Sequence, residues 1–126
     1  MKQFNIKKMA QKAVVLAEIF EGKEKIDTDT IISNHPHGIH INNIEFITMN
    51  GDNGEEQFWA YTFDENPGVF AFSGFVLAKI FNELLAFCDG DYEELYESFR
   101  ANGGLSVRLS TSRTKKGQPI TKVDIL

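Results

Sequence analysis

Residues 58–87 read FWAYTFDENPGVFAFSGFVLAKIFNELLAF, a run that passes from the pattern of paired strands to that of a buried helix. The aromatic residues alternate along 58–64, which is typical of a strand with two distinct faces. A turn at 66–68 follows, and the short apolar run 69–72 predicts another strand. Apolar residues then occupy nearly every side of a helix over 73–87, so we expect this helix to be buried.

A further strand precedes these two. Apolar residues alternate along 39–49, and a change of phase at Asn42 and Asn43 predicts a β-bulge. The sequence Asn-Gly-Asp-Asn-Gly at 50–54 is a strong turn signal before the next strand. Residues 39–72 therefore predict a three-stranded antiparallel meander.

Helical signals come before the meander. Asn5 is a candidate N-cap for a helix over 6–21, which makes 1–25 an N-terminal helical segment. Thr28 is a candidate cap of a short second helix.

Helical and strand signals also follow the meander. Asp91 and Glu94 resemble a capping box at the start of one more helix, so 73–101 predicts a helical pair. Two alternating runs then predict a C-terminal hairpin over 105–126, with a basic tip at 112–119.

The order of these elements keeps strands and helices in separate blocks, which is typical of the α+β class. We therefore expect a single domain over 1–126, packed by two to four helices. Its sheet is expected to be mainly antiparallel and five-stranded, or a partly open OB-like barrel. A chain of 126 residues can bury such a core without disulfides.

Charge is unevenly distributed along the chain. The net charge of -5 divides into +3 over 1–25, -12 over 26–104 and +4 over 105–126. If the two basic ends meet in space, they form a basic face on an acidic body. The alternative is that these charges are only solvated.

The cellular location is predicted from the cysteine content and from the most apolar stretch of the sequence. Cys88 is the only cysteine, so no intrachain disulfide can form, and a buried thiol in a reducing compartment is expected. The most apolar stretch, 68–88, includes charged residues and begins as a strand, which argues against a membrane span. We therefore expect a cytoplasmic protein without membrane contact.

No catalytic or cofactor motif is present. The sequence has no phosphate-binding glycine loop, no zinc-binding cysteine pair and no His-Glu-x-x-His. The three histidines lie in HPHGIH at 35–40, where His37 and His40 could share a metal with Asp27 or Asp29. A polar loop that enters a strand is the favoured interpretation. We expect a non-enzymatic protein without metal or cofactor.

Two features point to nucleic acid. Five basic side chains of the C-terminal hairpin can reach phosphates: Arg108, Arg113, Lys115, Lys116 and Lys122. Trp59 and Tyr61 share one strand face, where an exposed aromatic ring would stack a base; packing in the core is the alternative. Lys8 and Lys12 lie one helical turn apart and extend the basic surface if the first helix packs beside the last strands.

A resemblance supports the same function. Residues 107–123, VRLSTSRTKKGQPITKV, resemble the last hairpin of OB-type single-stranded DNA-binding proteins. The whole chain resembles small proteins encoded by phages and conjugative elements of Gram-positive bacteria. The resemblance implies a non-enzymatic accessory protein of a mobile genetic element that binds single-stranded nucleic acid.

Three other functions are open. The main alternative is an acidic protein-interaction module that binds a basic partner protein through the central body. A helix-turn-helix over 6–34 ranks lower, because Asp27 and Asp29 would repel phosphates. A metal-dependent enzyme built on the histidine run is the remaining class.

Overall fold

The structure is a computed structural model that describes Leu16, residues 18–51 and residues 54–126. Within that part, six strands and three whole helices follow one another along the chain. They are β1 (Glu24–Lys25), α1 (Thr28–Asn34), β2 (Ile39–Gly51), β3 (Gly54–Phe63), β4 (Val69–Phe72), α2 (Gly74–Phe87), α3 (Tyr92–Ala101), β5 (Leu105–Arg113) and β6 (Pro119–Ile125). The predicted helix over 6–21 lies largely outside the described residues.

All six strands belong to one sheet, in the order β1-β4-β3-β2-β5-β6, which curls into a half-barrel. β1 runs parallel to β4, and every other neighbouring pair is antiparallel. The α+β class is thus confirmed, and so is a sheet in which most pairs are antiparallel. The predicted number of five strands is wrong, and the sheet is mixed.

The additional strand, β1, contains only Glu24 and Lys25, in a segment for which the sequence predicted only helix. Two residues are too few to show an alternation. The strand forms because the amide of Glu24 donates to the carbonyl of Gly68 at 3.1 Å, and the amide of Ile26 donates to that of Phe70 at 2.9 Å. Its partner is far along the chain, so the local sequence carries no signal for it.

β2 is shared between the two halves of the sheet. It pairs with β3 along most of its length, while Ile39, His40 and Ile41 pair with β5 on the other edge. The register shifts between Ile41 and Asn43, which confirms the predicted bulge. A bulge bends its strand and increases the local twist, so β2 can serve both halves.

The sheet carries buried side chains on both faces. On the inner face, which the helices cover, Trp59, Tyr61 and Phe63 of β3 are fully buried together with Phe81 of α2. On the outer face, a smaller cluster buries Phe20, Ile47, Met49, Ala60 and Phe70. Both faces of β3 are therefore covered over part of its length.

α2 begins directly after Ser73, as predicted, but the helix is only partly buried. Leu77 and Phe81 are buried, whereas Phe75 is 76% exposed and Phe87 is 89% exposed. The expectation of burial on all sides is wrong, because only some sides of the helix have a neighbour. Within the described residues, no helix combines the length and apolar character that a membrane crossing requires.

The cap of α3 is the predicted residue, whereas that of α1 lies one residue before the predicted one. Asp91 accepts from the amide of Glu94 at 3.1 Å, as the capping signal predicts. α1 is capped by Asp27 rather than Thr28, since Asp27 Oδ1 accepts from the hydroxyl of Thr30 at 2.7 Å and from its amide at 2.8 Å. These two hydrogen bonds lower the pKa of Asp27.

Gly104 brings the start of β5 directly against β2. Its φ is +78°, and a Cβ added there would overlap the carbonyl oxygen of Ile41 and lie 3.1 Å from Nε2 of His40. Only glycine combines this backbone conformation with so close an approach.

Candidate nucleic-acid interface

β5 and β6 form a regular antiparallel hairpin, which confirms the predicted C-terminal pair of strands. Arg108 lies opposite Asp124, and its Nη2 donates to Asp124 Oδ2 at 3.1 Å. Lys122 Nζ lies 3.8 Å from Asp124 Oδ1. One carboxylate is therefore shared by two cations, and this part of the hairpin keeps a net positive charge.

Backbone hydrogen bonds hold the turn at the hairpin tip. The amide of Thr114 donates to the carbonyl of Gln118 at 2.9 Å, and the amide of Gly117 donates to that of Thr114 at 2.9 Å. Gly117 has a φ of +80°, which glycine adopts without strain. Arg113 Nη1 donates to the carbonyl of Gly117 at 2.9 Å, so its guanidinium lies along the turn.

Arg113, Lys115 and Lys116 form what we call the basic tip, and all three are exposed. Among the residues that the structure describes, none of the three has a carboxylate within ion-pair distance. Their charge is therefore available to a phosphate group. Lys8 and Lys12, the other predicted cations, lie outside the described residues.

Trp59 and Tyr61 lie in the inner core, where they are 2% and 1% exposed. Trp59 packs against the rings of Phe46 and Phe81, and burial raises the pKa of the Tyr61 phenol. Stacking a base requires an open ring face. Both rings are buried and pack the core, which is the alternative that the sequence left open, so neither stands as an exposed stacking surface.

The outer face of the same strand carries aromatic residues that the sequence interpretation did not select. Phe58 and Phe72 are partly buried, with ring centroids 4.4 Å apart and planes tilted by 56°. Lys25 Nζ lies 5.1 Å from the centroid of the Phe72 ring, within the range of a cation–π contact. Two rings and one cation therefore meet on this face.

Phe58 and Phe72 also line a cleft of about 510 Å³ between β3, β4 and the start of α2, and so do Phe46 and Trp59 of the inner face. We call it the aromatic cleft. Gln57, Ser73 and Asn82 contribute polar groups to its wall. The amide oxygen of Asn82 accepts a hydrogen bond from Nε1 of Trp59. Its NH₂ group can donate to another partner. The cleft combines ring surface with hydrogen-bonding groups.

The aromatic row of the outer face continues beyond this cleft. Phe20 lies parallel to Phe70, with centroids 4.1 Å apart and planes within 3°, and Phe70 lies 5.9 Å from Phe72. The alternation along β3 is the sequence signal that assigns Phe58 to this face, opposite Trp59. It did not indicate which face the helices cover.

The histidines make structural contacts at the start of β2. His40 Nδ1 lies 2.7 Å from the Ser106 hydroxyl, and its backbone amide donates to Glu65 Oε1 at 2.8 Å. The ring of His35 packs edge-on against Phe63, with centroids 5.7 Å apart. In the described part of the chain, no group of three histidine, cysteine, aspartate or glutamate side chains is placed to hold a metal ion.

Comparison with known proteins found no family model, no curated protein and no solved structure that matches this chain.

Proposed function

We propose that this protein binds single-stranded nucleic acid, with phosphates at the basic tip and bases against the aromatic cleft. The strand order around β2 is the observation that carries the proposal. Because β2 pairs with β3 on one edge and with β5 on the other, the five strands from β2 to β6 build a partly open barrel that ends in a basic hairpin.

This topology supports an OB-like interpretation. Counted from β2, the cleft borders the second and third strands, and the basic tip joins the fourth to the fifth. In OB folds, the face of strands two and three and the loops after strands one and four bind oligonucleotides. The two candidate elements occupy two of these places, and the resemblance of 107–123 to such proteins favours the same function.

The charge distribution favours a short contact between the protein and the nucleic acid. The net charge is -5 and the acids concentrate in 26–104, so a strand wrapped around the body would be repelled. Contact at the basic tip avoids that repulsion. For single strands, each neutralised phosphate contributes about 0.7 to the slope of log affinity against log salt. Three tip cations therefore predict a slope of roughly -2.

The aromatic cleft supplies the part of the affinity that salt does not remove. A base stacked on an aromatic side chain contributes about 1–3 kcal/mol, and Phe72 is the ring that Lys25 overlies. A base that takes the place of the ammonium group on this ring leaves Lys25 beside the neighbouring phosphate. The cleft and Lys25 then bind one nucleotide together.

Fluorescence anisotropy with labelled single-stranded DNA, single-stranded RNA and duplex DNA, at low and moderate salt, tests the proposal. We expect single strands to bind more tightly than duplex. The triple variant Arg113→Gln, Lys115→Gln, Lys116→Gln should bind more weakly and show a flatter salt dependence.

A matched pair of single substitutions controls for net charge. Lys116→Gln and Lys79→Gln remove the same charge, but Lys79 is an exposed residue of α2 rather than of the tip. Only Lys116→Gln should weaken binding beyond the general charge effect. No binding of single strands at tens of micromolar protein and low salt would reject the proposal, and so would equal losses in the two variants.

A further inference from the structure

A second concave surface lies between α2 and α3, away from the outer face of the sheet. It is an apolar groove of about 410 Å³. Its walls and floor are formed chiefly by Ile80, Leu84, Phe87, Leu95 and Phe99. We call it the interhelical groove. Leu95 and Phe99 are buried beneath it, whereas Ile80 and Leu84 are only partly covered.

Phe87 stands at the edge of this groove with 89% of its surface exposed. A phenylalanine ring that is this exposed contributes little to the stability of the fold, because it is the burial of apolar surface that stabilises a protein. Together with the partly covered side chains beside it, Phe87 makes an apolar patch of the kind that marks protein interaction sites.

The rim of the groove is acidic beside Cys88, which lines it. Between Lys79 and Arg100 the sequence has no basic residue. Glu94 lines the groove, Asp89 and Asp91 lie in the turn between α2 and α3, and all three are exposed. Their negative charge reaches the groove wall, because the carboxylates of Glu94, Asp89 and Asp91 add to burial in raising the pKa of the Cys88 thiol.

From this arrangement we infer that the interhelical groove binds a basic, amphipathic helical segment of a partner protein. An apolar groove between helices accepts the apolar face of such a helix. The acidic rim pairs with lysine and arginine on its flanks and steers its approach. The same rim repels phosphates, so this surface is distinct from the basic tip and the aromatic cleft.

A defined peptide probe tests the inference. The probe is a synthetic, fluorescein-labelled helical peptide with leucine and phenylalanine on one face and lysine on the other. Its control is the same peptide with glutamate in place of lysine. Anisotropy titration should give saturable binding of the lysine peptide and at least about tenfold weaker binding of the glutamate peptide.

Two phenylalanine variants of one helix locate the contact. Phe87→Ser should weaken binding of the lysine peptide about tenfold or more, as expected for an exposed aromatic side chain that the partner covers. Phe75→Ser is the matched control, because Phe75 is also an exposed residue of α2 but does not line the groove. It should change the affinity less than twofold. Since both rings are largely exposed, neither change should unfold the protein.

Three results would overturn the inference. They are the absence of saturable binding of the lysine peptide, equal binding of the two peptides, and equal losses in Phe87→Ser and Phe75→Ser. Nucleic-acid binding by the Phe87→Ser variant should equal that of the wild type, so the outcome is independent of the proposed function.

Discussion

Trp59 and Asn82 connect β3 to α2 through one side-chain hydrogen bond, in which the indole Nε1 donates to the amide oxygen across 2.8 Å. The indole ring is buried, while Asn82 lies at the surface of α2. This bond satisfies the only polar atom of a large core side chain and fixes the position of α2 relative to the sheet.

Removal of the acceptor should destabilise the fold. In Asn82→Ala the indole N–H loses its partner at a partly buried site, so the free energy of unfolding should fall by about 1–2 kcal/mol. Urea denaturation followed by tryptophan emission measures this. Glu83→Ala, at the exposed neighbouring position, should change it by less than about 0.5 kcal/mol. Equal effects in the two variants would show that the hydrogen bond contributes little.

Trp59 also reports on the mode of nucleic-acid binding. It is the only tryptophan and, although only 2% exposed, it lines the aromatic cleft, so its emission should change when single-stranded DNA binds there. Phe72→Leu should weaken that binding by about 1–3 kcal/mol if a base stacks on this ring. Unchanged emission of Trp59 at saturating oligonucleotide, together with no effect of Phe72→Leu, would contradict the assignment of the aromatic cleft.

Substitution of Gly103 and of Gly104 distinguishes two ways in which an added side chain destabilises the fold, namely strain at a positive φ and overlap with a neighbouring strand. Both have φ near +80°, but only at Gly104 would a Cβ meet the backbone of β2, whereas nothing lies within 4 Å of one at Gly103. Gly103→Ala should cost about 1–2 kcal/mol, the usual strain of this conformation. Gly104→Ala should cost clearly more, because the start of β5 must move away from β2. Thermal unfolding of the two variants measures the difference, and similar melting temperatures would contradict so close an approach.

Glu45 should make stability depend on pH. Burial raises the pKa of its carboxyl, and the Glu93 carboxylate raises it further. A folded-state pKa above the unfolded value means that ionisation opposes folding, so stability is lost as the pH rises through the folded pKa. Glu45→Gln removes this penalty and should be more stable than the wild type at about pH 7. The difference should vanish below about pH 4.3, where the unfolded carboxyl is also protonated.

Urea denaturation between about pH 4 and pH 7 checks this dependence. Glu97→Gln, at an exposed position of α3, serves as the control and should shift stability slightly. A Glu45→Gln variant that is less stable than the wild type at neutral pH would show that the ionised carboxylate stabilises the fold.

Much of the fold could be predicted because its signals are local. The bulge at Asn42 and Asn43, the cap at Asp91 and the hairpin around the basic tip all depend on neighbouring residues. β1 escaped prediction because it exists only through hydrogen bonds to Gly68 and Phe70, which are distant in sequence.

The site was predictable only in part, for a related reason. The cations of the basic tip could be identified because a charged hairpin turn is exposed in almost any fold. The aromatic face could not, because alternation separates Phe58 from Trp59 without showing which of them the helices cover. The interhelical groove depends on how α2 and α3 pack, and no periodicity within either helix describes that.

The shortness of β1 has a consequence for the solubility of the protein. An open sheet ends in two edge strands, whose exposed backbone groups can pair with another chain and start aggregation. At one end of this sheet, β1 presents only two residues, too few to template a long pairing. At the other end, β6 begins with Pro119, which has no N–H to donate, and carries the exposed Lys122. Each of the two terminal strands thus limits pairing with another chain by a different device.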